Sequence, residues 1–120
     1  MPSSYTTLRL TTDQSVTILT MLDRRLVEPE HVQRVSGELN EAIKAAPHPV
    51  VVINFEKTEF LSSSMLGAIV VAQALVEDRR GRLALCGLTP DLRKLFKMMR
   101  LDSRVTIHDT RDDAVEALSP

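Results

Sequence analysis

Val50-Val51-Val52-Ile53 sets four β-branched residues in a row, and a run without polar alternation fits a strand covered on both faces. Such strands belong to parallel sheets packed by helices. A second apolar run, Leu83-Ala84-Leu85-Cys86, repeats the signal, and between the two lies Met65 to Val76, apolar at nearly every turn and free of proline. That stretch is too long for a strand and reads as a largely buried helix. Strand, helix and strand in succession imply a right-handed parallel crossover.

The rest of the chain extends the alternation. Leu8-Arg9-Leu10-Thr11 and Val16-Thr17-Ile18-Leu19 are short alternating runs joined by Thr12-Asp13-Gln14-Ser15, a polar turn of hairpin length. Pro29 suits a first helical turn, and Val32, Val35, Leu39, Ala42, Ile43 and Ala46 follow at helical spacing until Pro47-His48-Pro49 stops the helix. Gly81 is expected to end the Met65 helix. Thr89 and Pro90 supply a cap hydroxyl and a first-position proline for a third helix bearing Leu92, Leu95, Phe96 and Met99. Val105 to His108 reads as a last strand, and Thr110 with Asp113 resembles a capping box for a terminal helix through Ala114, Val115 and Leu118. The expected class is α/β: a mostly parallel sheet of about five strands with an antiparallel N-terminal strand, about four helices, and one domain spanning 1–120.

Composition narrows the function. Hydrophobic residues make up 43% and aromatics 3%, with no Trp, so the core is aliphatic and an aromatic-rich β-sandwich is disfavoured. Fifteen Lys and Arg against sixteen Asp and Glu provide no global basic field for nucleic acid, which points to a protein partner. The lone Cys86 excludes an internal disulfide and fits a reducing compartment. Met1 to Thr7 lacks the pattern of a secretory signal, and the longest apolar stretch, broken by Gln73, falls short of the roughly 18 residues that cross a bilayer. A cytoplasmic protein without membrane insertion is expected. His31, His48 and His108 follow no metal-ligand spacing, and the chain has no Walker-A loop, G-x-G-x-x-G or G-x-S-x-G. No metal, cofactor or catalysis is expected. The Arg24-Arg25, Arg79-Arg80 and Arg93-Lys94-Lys97-Arg100 sets read as solvated surface, and Met99 falls on the apolar stripe of its helix and is assigned to the core.

Phe60-Leu61-Ser62-Ser63-Ser64-Met65-Leu66-Gly67 places three hydroxyls between the Val50 strand and the Met65 helix. At a helix N-terminus, unpaired N–H groups and the positive end of the macrodipole favour a hydroxyl cap and also favour an anion. Capping needs one hydroxyl and contributes about 1 kcal/mol. A phosphate added here is compatible with the fold and rewrites the charge of the surface.

With these residues in view the chain resembles the STAS domain family, of the anti-sigma factor antagonist type. The family's signature is a buried strand followed by Phe, an aliphatic residue, Asp, Ser, Ser or Thr, Gly, Leu and Gly, against which this chain sets Phe60 to Gly67. Gly87-Leu88-Thr89-Pro90-Asp91-Leu92-Arg93-Lys94-Leu95-Phe96, Leu101-Asp102 and Asp113-Ala114-Val115 extend the resemblance over nearly the whole length. It implies an anti-sigma factor with serine kinase activity as partner, bound by the unphosphorylated antagonist so that the sigma factor is freed. It implies Ser63 as the phosphoacceptor, with Ser62, Ser64 and Met65 as the neighbouring switch surface.

Three positions depart from the family pattern. Ser62 stands where the family has its Asp, Met65 where it has Gly, and Val27 after Leu26 where an Asp follows a Leu. These changes open an alternative in which the module binds without being phosphorylated, as a scaffold subunit of a signalling assembly or an accessory subunit of a lipid-transport ATPase. The opening hairpin also offers a sheet edge through which a homodimer can pair.

Overall fold

A computed structural model describes residues 5–120. Its elements run β1 (Leu8–Asp13), β2 (Val16–Met21), β3 (Arg25–Leu26), α1 (Pro29–Lys44), β4 (Val50–Asn54), β5 (Phe60–Leu61), α2 (Ser63–Asp78), β6 (Arg82–Cys86), α3 (Pro90–Met98), β7 (Thr106–His108) and α4 (Arg111–Leu118). The main sheet has the order β1-β2-β4-β6-β7. Only β1 is antiparallel to its neighbour, and every other pair is parallel. The α/β class, the five-stranded sheet and the four helices match the sequence reading.

Alternation along the strands sends side chains to two separate cores. Val51, Ile53, Leu83 and Leu85 face α1, α2 and Phe96 of α3, whereas Ile18, Val52, Ala84 and Cys86 face Ala114, Val115 and Leu118 of α4. That is why the Val50 run carries no polar position: β4 is central and covered on both faces.

Local details differ from expectation where backbone geometry overrides residue preference. The hairpin turn is only Gln14-Ser15, both in the left-handed region at φ +51° and +69°, so Thr12 and Asp13 belong to the strand. Two consecutive left-handed residues give the turn whose twist matches the flanking strands. Gly81 does not supply the left-handed residue after α2. Arg80 does, at φ +56°, with its N–H on the Glu77 carbonyl at 2.9 Å and the Gly81 N–H on Val76 at 2.8 Å, the pairing of a Schellman motif. Gly81 is needed for another reason: a Cβ there would lie 2.0 Å from the Pro49 carbonyl oxygen. Arg100 closes α3 the same way, at φ +58° with Leu101 N–H on Phe96. The small parallel pair β3–β5 was not legible in the sequence, since two-residue strands carry no periodicity.

Candidate functional site

The chain reaches α2 through a tightly tied corner. After β4, the fully buried Thr58 donates its hydroxyl to the Asp23 carbonyl at 2.9 Å. Glu59 and Phe60 N–H groups both bond the Arg24 carbonyl, at 2.8 and 3.1 Å, and the Ser62 N–H bonds Leu26 at 3.0 Å. This ladder is the β3–β5 pair, with Arg25 opposite Phe60 and Leu26 opposite Leu61. It fixes the point at which α2 begins and brings the residues after β2 beside the serines.

The three hydroxyls divide their roles. Ser62 is the N-cap, extended at φ −84° and ψ 166°, and its Oγ accepts the Met65 N–H at 3.2 Å. Capping therefore falls to the residue standing where the family has Asp; Ser and Asp cap about equally well, so the substitution keeps the cap and drops the charge. Ser63 and Ser64 open the helix, are exposed, and make no side-chain hydrogen bond among the described residues. Among the described residues no His or carboxylate is bonded to Ser63, so none of them stands as the general base of a self-activating nucleophile. An exposed hydroxyl in this position can still accept a group from another enzyme's active site.

A groove of about 420 Å³ lies between the β3–β5 pair and α3, lined by Arg25, Val27, Phe60, Leu61, Leu95 and Met98 among others, and it ends one residue short of Ser62. Phe60 is 43% exposed and Met98 78% exposed, large values for apolar side chains. The guanidinium groups of Arg24 and Arg25 stand 5.7 and 4.9 Å from the centre of the Phe60 ring, within cation–π range. Arg24 is also paired with Glu59 at 2.6 Å.

Not every expected member of this surface belongs to it. Met65 is fully buried and packs in the core beneath α2, so its side chain is absent from the contact surface where the comparison with the family's Gly had placed it. Met99 departs in the other direction: α3 ends at Met98, Met99 is its C-cap, and its side chain is 53% exposed instead of continuing the apolar stripe. Arg24 and Arg25 are far from Phe60 in sequence, and the β3–β5 register brings them together. No group of His, Cys, Asp or Glu among the described residues is arranged to hold a metal ion. No helix there is long and apolar enough to cross a membrane.

With this geometry, comparison with known proteins is decisive for the family: residues 13–114 match the STAS domain. The chain belongs to the STAS domain family. A relative from Paenibacillus polymyxa named anti-sigma F factor antagonist is 28% identical to this STAS protein, with 77% of this chain and 93% of the relative covered. Among solved structures, an anti-sigma-factor antagonist STAS domain protein from Planctomyces limnophilus superposes with a TM-score of 0.83 at 21% identity, covering 94% of this chain and 98% of that one. The Bacillus cell fate determinant SpoIIAA, solved in its phosphorylated form, gives a TM-score of 0.66 at 22% identity, covering 92% and 97%. These structural likenesses establish the STAS fold of the chain.

Proposed function

We propose that this STAS protein is an anti-sigma factor antagonist without catalysis of its own, and that Ser63 is the residue through which a kinase-type anti-sigma factor switches it off. The observation that carries the reading is the division of labour at the start of α2: Ser62 is occupied by capping, while the Ser63 hydroxyl is exposed and unbonded. In the transfer step the Ser63 oxygen attacks the γ-phosphorus of ATP held by the partner, ADP leaves, and the hydroxyl proton passes to the partner's base. The product adds about −1.5 to −2 charges where the partner docks, and the first amides of α2 support the phosphate. Repulsion and desolvation then break the complex without unfolding the antagonist.

The relative's name and the phosphorylated SpoIIAA neighbour support the partner and the chemistry. The apolar groove of Val27, Phe60 and Met98 gives the partner a surface to bury at the β3–β5 pair. A second reading, a constitutive binding module, is favoured by the uncharged Val27 and Ser62. A pull-down with the cognate anti-sigma factor separates the two. A switch loses its partner in Ser63→Asp and keeps it in Ser63→Ala, whereas a constitutive module keeps it in both.

A further inference from the structure

β1 is an edge strand of the five-stranded sheet, and the hairpin fixes which of its backbone groups have no strand partner among the described residues. A two-residue turn makes Asp13 and Val16 a hydrogen-bonded pair, and alternate positions repeat it: Thr11 with Ile18, and Arg9 with Thr20. The Leu22 N–H bond to the Thr7 carbonyl, 3.2 Å, continues the same alternation. The N–H and C=O groups of Leu8, Leu10 and Thr12 therefore point away from β2.

Free edges are ordinarily blunted by short length, proline, bulges or charge. The opposite edge, β7, has only three residues. β1 has six, pairs with β2 one-to-one without a bulge, contains no proline, and carries only Arg9 and Asp13 as charges. Both of those residues turn their own backbone groups toward β2.

We infer that β1 is a self-association edge, at which a second copy of this chain adds its β1 antiparallel about a two-fold axis through Leu10. In that register Leu10 meets its own counterpart and Leu8 meets Thr12 of the second copy, so every outward donor and acceptor of the strand is paired. Arg9 faces the exposed Thr11 of the second copy, and Asp13 keeps its own partner, Arg111 of α4 at 3.2 Å, so no charge is left opposite a like charge. An axis through Arg9 sets two guanidinium groups directly opposite, which is destabilising. An axis through Thr11 leaves Leu8 facing Gln14, where φ is +51° and the strand has ended. Leu10, only partly buried at the margin of the core, gains an apolar neighbour. The serine-led end of α2 takes no part, so the dimer presents that surface twice.

Sedimentation of the full chain over a concentration series tests this. The expected result is a doubling of mass for the wild type with rising concentration and a monomer at every concentration for Thr12→Pro. Thr12 is exposed and its N–H lies on the free edge, so proline removes no bond of the β1–β2 ladder. A wild type that stays monomeric, or a Thr12→Pro chain that dimerises like it, overturns the inference. Should Thr12→Pro fail to fold, cysteine pairs decide the matter, because Arg9 and Thr11 of the second copy form a close non-hydrogen-bonded pair suited to a disulfide. An equimolar mixture of Arg9→Cys and Thr11→Cys chains cross-links on oxidation, while neither alone does; no cross-link in the mixture, or one in Thr11→Cys alone, contradicts the register. The only native thiol, Cys86, is buried and does not compete.

Discussion

Val27 and Ser62 directly follow the paired ends of β3 and β5: Leu26 is in register with Leu61, and its carbonyl accepts the Ser62 N–H at 3.0 Å. These are the two positions at which the STAS family pattern leads one to look for an acid. In this chain neither position carries a carboxylate, and the two lie at one corner next to Ser63. The corner keeps its cap and its backbone ties, and the positive end of α2 is left without an acidic residue in its first turn.

The serines separate stability from regulation. Ser62→Ala removes the hydroxyl that holds the Met65 N–H and is expected to lower unfolding free energy by about 1 kcal/mol. Ser63→Ala removes an exposed hydroxyl without a hydrogen-bond partner and is expected to change stability by less than about 0.5 kcal/mol. Urea unfolding of the two variants checks the assignment, and a larger loss from Ser63→Ala would place the cap on the wrong residue.

Two glycines give opposite signs. A Cβ on Gly67 meets nothing within 4 Å, and the residue lies exposed inside α2, so Gly67→Ala is expected to stabilise by roughly 0.5–1 kcal/mol. Gly81→Ala drives a Cβ to 2.0 Å from the Pro49 carbonyl oxygen, where both sides are backbone. Its cost is expected to exceed the roughly 1–3 kcal/mol of ordinary overpacking. Thermal melts of the pair read both effects.

Glu38 on α1 fastens the chain entering β1. Burial acts to raise its carboxyl pKa, but the N–H and hydroxyl groups of Thr6 and Thr7, at 2.9 to 3.0 Å, outweigh it and hold the group below its usual value of 4.5. A depressed folded pKa contributes stability that is complete above the unfolded value and lost as pH falls through the folded one. Glu38→Gln is expected to be less stable than the wild type by about 1 kcal/mol near pH 7, since the amide keeps one acceptor oxygen and loses the charge. The difference should shrink as pH drops below 4.5, which denaturant melts at several pH values measure.

Cys86 should be inert in the native state. It is fully buried on the α4 face of β6, and burial, with the nearby Glu56 charge, pushes its thiol up to about 12 despite Arg111. Since the thiolate is the reactive form, labelling by a thiol reagent at pH 8 is expected only with global unfolding. Rapid labelling of the folded chain would contradict this placement.

Much of this architecture was legible because burial leaves a periodic trace. Val50 to Ile53 and Leu83 to Cys86 announced central strands, and Thr89 and Thr110 announced helix starts that their hydroxyls do cap, on Leu92 and Asp113 N–H at 3.1 Å each. What escaped was whatever depends on residues distant in sequence. The Arg25–Phe60 and Leu26–Leu61 pairs have no local pattern, so the groove between the β3–β5 pair and α3 could not be foreseen. The family pattern identifies the position of Met65 and not the direction of its side chain: the third residue of α2 points inward, into the core.

Ser63 is proposed as the acceptor of a phosphoryl group from a kinase-type anti-sigma factor. Intact-mass measurement after incubation with the cognate anti-sigma factor and ATP tests it most directly, with Ser62→Ala and Ser63→Ala run beside the wild type. One added phosphoryl group is expected on the wild type and on Ser62→Ala, and none on Ser63→Ala. An unmodified wild type in the presence of a demonstrably active kinase, or full modification of Ser63→Ala, contradicts it.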